Sequence, residues 1–171
     1  ALAARARYLT TQAKEPGDEG IHGEVGYNYR LTSLQAAVGL AQFERMDALL
    51  KAKRAIALRY ADALVGLPGV TTMPEANWAK SAFWLYTIRI DAARAGVDAR
   101  ALSRRLAARG IETRGFWQPM HCSPAHGDAA VLGGEVSVAL WLELLSLPSS
   151  CGLGSADQAR VIDAVRLELA A

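Results

Sequence analysis

The run Phe83-Trp84-Leu85-Tyr86-Thr87-Ile88-Arg89-Ile90-Asp91 decides the fold class. Trp84, Tyr86, Ile88 and Ile90 recur at every second position, so residues 83–91 predict a strand with one apolar face. The period then changes. Asp98 is placed to cap a helix, Leu102 and Leu106 lie one turn apart, and Gly110 closes the segment. Residues 111–116 predict another strand, and residues 70–73 a short one upstream. Few short strands interleaved with helices imply helices on one face of a small, mainly antiparallel sheet, an α+β arrangement.

Working outward, Thr32 with Gln35 three residues on has the pattern of a capping box. The helical period that follows runs to about residue 64, with Met46, Leu49, Ile56, Tyr60 and Leu64 on one face. This predicts a long spine helix, kinked near Gly39 and ended by Gly66 and Pro68. On the other side, a loop rich in Pro, His and Gly leads to a helix around residues 136–145, and Leu147-Pro148 reads as a short strand end. Ser155 and Gln158 predict a second capping box, with Val161, Ile162, Val165 and Leu169 as the apolar face of the last helix. Residues 10–30 are polar and turn-rich, with Pro16-Gly17-Asp18, Gly20, Gly23 and Gly26, a kind of segment that is usually functional when long. Residues 1–8 read as the middle of a helix, so the chain is expected to start partway through a larger protein. Residues 1–31 would then belong to a preceding domain, and residues 32–171 to the spine helix and a small C-terminal domain.

The length of 171 residues suits one domain, or one plus part of another. With 51% apolar and 21% charged residues the chain can bury a core, which excludes a disordered tail. Nineteen Lys and Arg against 17 Asp and Glu leave +2, which argues against electrostatic nucleic-acid binding. The richest apolar stretch, residues 138–147, is broken by Glu143 and Ser146, so no membrane helix is expected. Cys122 and Cys151 are too few for a disulfide framework or a closed zinc site, and read as reduced thiols of a cytoplasmic protein.

No glycine-rich nucleotide loop and no G-x-S-x-G elbow occurs. His121-Cys122-Ser123-Pro124-Ala125-His126 is a poor metal site, since Pro124 breaks a helix that would carry both histidines and no further ligand lies at a recognised spacing. Cys122 as a nucleophile would need a base and a depressed pKa. The segment His22-Gly-Glu-Val-Gly-Tyr-Asn-Tyr-Arg-Leu-Thr-Ser-Leu-Gln-Ala-Ala37 says more. Asn28 can donate a neutral hydrogen bond to an anion, and Arg30 can clamp a phosphate or carboxylate. The residues alone leave the alternative open that Asn28 caps a turn and Arg30 makes a surface ion pair.

Resemblance takes the reading further. Leu9-Thr10-Thr11-Gln12-Ala13-Lys14, His22 to Thr32, and Leu34-Gln35-Ala36-Ala37-Val38-Gly39-Leu40-Ala41-Gln42 resemble the DegT/DnrJ/StrS family of pyridoxal 5'-phosphate (PLP)-dependent sugar aminotransferases of fold type I. The likeness continues through residues 83–88, Gly110-Ile111-Glu112-Thr113-Arg114, Trp117-Gln118-Pro119-Met120-His121 and Leu147-Pro148-Ser149-Ser150, in the family's order. The Thr10 to Lys14 stretch is most similar to the branch that aminates UDP-linked 4-keto-6-deoxy-hexosamines. The resemblance implies an α/β enzyme whose larger cofactor domain precedes Ala1, and a homodimer with shared active sites. It implies that Asn28 reaches the cofactor phosphate of the partner subunit, that Tyr29 and Arg30 line the same interface, and that His121, Trp117 and Gln118 face the nucleotide sugar. The amino donor it implies is glutamate.

The chemistry needs a Schiff-base lysine, which the resemblance places upstream of Ala1. Of Lys14, Lys51, Lys53 and Lys80, the first lies in a polar loop, two in the spine helix and one in a turn, and all are expected to be solvated. The chain alone is therefore expected to be inactive. Gly115 and Gly23 depart from the family's pattern and are expected to loosen their loops. Two rival readings remain: a dehydratase of the same family with histidine at the lysine position, or a non-catalytic domain that dimerises or regulates.

Overall fold

The computed structural model describes residues 1–17 and 20–170. Asp18, the last residue of the expected Pro16-Gly17-Asp18 turn, lies outside the described residues. The chain forms two compact units, Ala1–Met46 and Asp47–Ala171.

The first unit opens with helix α1 (Leu2–Thr10). The chain then folds back beside the C-terminal end of α1, where Tyr27 N donates to Leu9 O at 2.7 Å and Tyr29 N to Thr10 O at 3.1 Å. Helix α2 (Ser33–Phe43) follows with the expected box: Thr32 accepts from Gln35 N, and the Gln35 carboxamide accepts from Thr32 N at 3.0 Å. No residue of α2 is buried, although Leu34, Val38, Leu40 and Phe43 are apolar.

Helix α3 (Met46–Leu64) starts after a two-residue break at Glu44 and Arg45. The expected continuous helix with a kink at Gly39 is thus two helices, and Gly39 stays helical. Buried Ile56, Ala57, Tyr60 and Leu64 are the core stripe of α3. Strand β1 (Val70–Thr71) and strand β2 (Tyr86–Ile90) precede the short helix α4 (Ala92–Ala95) and helix α5 (Ala99–Ala108). Asp98 caps α5 as its sequence requires, accepting from Ala101 N at 2.7 Å, and Gly110 beyond its end takes φ +70°. Strand β3 (Arg114–Gly115), two 3-10 turns, helix α6 (Glu135–Glu143), strand β4 (Leu144–Leu147) and helix α7 (Ser155–Ala170) complete the unit.

The sheet runs β1-β2-β4-β3 and every pairing is antiparallel. Tyr86 opposite Leu147 and Ile88 opposite Leu145 make one apolar face, packed with Tyr60, Leu64, Leu102, Leu106, Val161 and Val165 into the core. On the other face the Thr87 and Ser146 hydroxyls meet at 2.9 Å, so a buried polar pair satisfies itself.

Three further expectations change. The third strand is only Arg114–Gly115 of residues 111–116, because its pairing reaches just Ser146 and Leu145. Leu147 ends a full four-residue strand lying between β2 and β3, where the sequence reads only as a strand end. Ser155 and Gln158 form no capping box. Gly154 O accepts the first helical bond from Gln158 N, and the Gln158 side chain is fully buried, donating to Ile56 O at 2.8 Å and accepting from Arg59 at 3.0 Å. A core amide with two partners is worth more than a solvent-exposed cap.

Candidate active site

In the first unit the family-like loop is built around main-chain bridges. Thr11 pairs with Asn28 and Lys14 with His22, both antiparallel. Gln12 N donates to Tyr27 O at 3.1 Å, and the His22 ring nitrogen contacts Gln12 O. To make this crossing, Gln12 and Ala13 adopt φ of 65° and 50°, a left-handed conformation that costs L-residues energy. Ala13 is completely buried beneath it. A Cβ on Gly26 would meet Ala13 N and Gln12 C at 2.4 Å, so only glycine permits this approach. Gly23 sits against Tyr8 and Glu15, whose side chains hydrogen-bond at 2.6 Å. It therefore closes a contact where a looser loop is expected. Arg5 and Glu24 form a bidentate pair on the surface, which raises the guanidinium pKa and lowers that of the carboxylate.

Asn28 is fixed at its main chain by the bridge to Thr11, and its side chain is exposed. Tyr27 and Tyr29 flank it with stacked rings, 5.3 Å apart and 24° from parallel. Arg30 is exposed as well. The loop presents a carboxamide, two phenols and a guanidinium from a rigid support, which is a donor set suited to an anionic group such as a phosphate.

In the second unit Trp117, Gln118 and His121 share one loop. The Gln118 amide donates to Cys122 O at 3.1 Å, closing the 3-10 turn Met120–Cys122. Gly134, with φ +116°, lies close against the His121 ring, since a Cβ there would be 2.8 Å from Cε1. Trp117 is half exposed and stacks on Trp84 at 5.9 Å and 17°. A Cβ on Gly115 would meet nothing, so open space lies beside that departure from the family's pattern.

Sequence reasoning missed Lys53 and Trp84. Lys53 is half-buried: its Nζ donates to Trp84 O at 2.7 Å, to Ser149 O, and to Ser149 Oγ at 3.3 Å. Burial lowers its pKa, against the expectation of a solvated helix-face lysine. A cleft of about 540 Å³ opens beside it, bordered by Trp84, Arg114, Ser149, Glu112, Asp157 and Arg160. Nothing in the helical period marks Lys53, because its partners lie 31 and 96 residues away. Among the described residues no three His, Cys, Asp or Glu side chains converge as metal ligands. No helix among them is long and apolar enough to cross a membrane.

The helices and small antiparallel sheet have the fold seen in PLP-dependent sugar aminotransferases of fold type I. The chain belongs to the DegT/DnrJ/EryC1/StrS aminotransferase family, whose model matches residues 1–166. EpsN of Bacillus subtilis (strain 168), grouped by name with the pyridoxal phosphate-dependent aminotransferases, is 37% identical over 93% of this chain and 41% of its own length. GDP-perosamine synthase of Caulobacter vibrioides is 36% identical over 96% of the chain and 44% of its length. The crystal structure of DesV from S. venezuelae superposes with a TM-score of 0.80 at 32% identity, covering 98% of this chain and 44% of that one. The chain thus spans about two fifths of the length of the relatives it matches.

Proposed function

We propose that this chain is the C-terminal part of a cytoplasmic, homodimeric aminotransferase that moves an amino group, from glutamate, onto a keto nucleotide sugar used in bacterial surface glycans. Residues 1–31 end the large cofactor domain, and residues 32–171 form the spine and the small domain. The observation that carries the reading is the strained, glycine-dependent loop that holds Asn28 at a fixed position with its carboxamide exposed. Membership of the family and the donor set Asn28, Tyr29 and Arg30 support it. The residues fit the group the family uses. Asn28 would hold the phosphate of a partner subunit's cofactor, and Tyr29 and Arg30 would line that interface. Pyridoxal phosphate supplies an electron sink for the amino-group transfer. Gln118 orders the turn that carries His121, and His121 with Trp117 would place the nucleotide sugar. The lysine that carries the cofactor lies upstream, so the 171-residue chain alone is inactive.

The test is cofactor binding and turnover by the complete protein with and without Asn28→Ala. Roughly tenfold or greater loss of cofactor affinity, on the scale of a lost charged hydrogen bond, is expected. Unchanged affinity overturns the role of Asn28. Amino-group transfer to a keto nucleotide sugar separates this reading from dehydration, and the absence of both leaves a regulatory domain.

A further inference from the structure

We infer that Trp84, stacked on Trp117, is the platform on which the base of the nucleotide sugar lies. The inference rests on the aminotransferase reading above and names which part of the substrate this surface takes.

Three independent features hold Trp84 outward. By alternation it should share the buried face of Tyr86, yet it is 71% exposed. The cause is Phe83, whose φ of 46° is a left-handed conformation uncommon for a bulky aromatic residue. Phe83 itself stays buried, tilted against Tyr86 at 6.4 Å and covered by the Arg54 guanidinium at 5.4 Å. The reversal therefore turns the next indole out of the core. Lys53 then fixes the turned segment by taking the Trp84 carbonyl. Finally, Trp117 stacks on the indole, and Phe116 meets Trp117 edge-on at 5.2 Å.

A strained backbone and a partly desolvated ammonium thus hold two nearly parallel indoles with much of their surface in water. Strain retained in this way points to function, and the ligand class follows from shape. A flat, rigid aromatic face favours another flat ring, and the planar part of a nucleotide sugar is its base. Trp84 also borders the cleft that exposes Arg114, which makes no ion pair among the described residues and suits a phosphate. Glu112 and Asp157 share that cleft with Lys53, Arg114 and Arg160, so its charge is mixed and singles out no ligand, whereas the indole face is specific to a planar ring.

The experiment measures equilibrium binding of UDP, GDP and inorganic pyrophosphate to the complete, cofactor-loaded protein. Trp84→Ala is expected to raise the Kd of the better-bound nucleotide about tenfold, within the range seen for base–aromatic stacking. Pyrophosphate binding should not change, and Trp84→Phe should restore most of the affinity. Equal binding by both proteins, or equal weakening of nucleotide and pyrophosphate, overturns the platform and assigns Trp84 to packing against the rest of the protein. If Trp84→Ala does not fold, Trp84→Tyr and Trp117→Ala decide. Nucleotide should quench indole emission in the parent and much less in Trp84→Tyr, while Trp117→Ala weakens nucleotide binding. Unaltered quenching and affinity overturn the proposal. Intact cofactor absorbance and turnover with unaltered nucleotide binding by the Trp84 variants sink the platform alone. A complete protein that binds neither cofactor nor nucleotide sinks the enzyme reading as well.

Discussion

The ammonium of Lys53, on helix α3, donates to the main-chain carbonyl of Trp84 at 2.7 Å, and also contacts Ser149 in the loop after β4. One side chain thereby ties the spine helix to the entry of β2 and to the loop before α7. Its acceptors are all neutral oxygens, so the charge is stabilised without a carboxylate. Lys53→Met keeps the aliphatic stem and removes these bonds. A loss of about 1–3 kcal/mol is expected, read by chemical denaturation, because hydrogen bonds to a charged group are lost together. A variant as stable as the parent would show that the three contacts are replaced by water at no cost.

Gly134 bears on the loop of His121, for which a role in placing the nucleotide sugar is proposed above. With φ +116° and a Cβ position 2.8 Å from the His121 ring, Gly134→Ala must move the imidazole or the start of α6. On the proposed role of His121, the KM of the complete protein for a keto nucleotide sugar should rise several-fold while cofactor affinity holds, with a stability loss of about 1–3 kcal/mol from the strained conformation. Steady-state kinetics with a cofactor titration separate the two effects.

Glu75 gives a pH-dependence of stability. Arg54 binds both of its oxygens at 2.7 and 2.9 Å and Ser81 N donates at 2.6 Å, which pulls its pKa from 4.5 down to about 2. A carboxylate with a depressed folded-state pKa stabilises the fold above its unfolded pKa, and that contribution is lost as pH falls toward the folded value. Thermal midpoints of the parent should therefore fall between about pH 4.5 and pH 2 more steeply than those of Glu75→Gln. The pair is on the surface, so the difference should shrink in high salt.

Tyr86 is buried, and its hydroxyl finds no partner among the described residues. Burial pushes its pKa up to about 12, so it is neutral at every working pH. Its ring stacks on Tyr60 at 5.1 Å. Tyr86→Phe keeps the stack and removes an orphaned polar atom, and should be neutral or up to about 1 kcal/mol more stable. Marked destabilisation would show that the hydroxyl has a partner in the complete protein.

Much of the fold was legible because local rules and tertiary packing agree. The capping residues Thr32 and Asp98 act within a few positions of themselves, and the alternation from Tyr86 to Ile90 marks the face that meets Leu145 and Leu147. The loop containing Asn28 stood out by composition and by its resemblance to the family. The reading failed where a distant partner outbid a local one. Gln158 has the spacing of a cap but is drawn into the core by Ile56 and Arg59, about a hundred residues away. The break at Glu44 and Arg45 carries no proline or glycine to announce it.

The amino-acid sequence by itself determined the class of the domain and the family, because hydropathy period, caps and ordered motifs are properties of neighbouring residues. Tertiary structure alone decided that Lys53 is withdrawn from water, that Phe83 reverses the backbone, and that Trp84 meets Trp117. Each depends on main-chain carbonyls and rings brought together from far apart in the chain, and no local period encodes such a meeting.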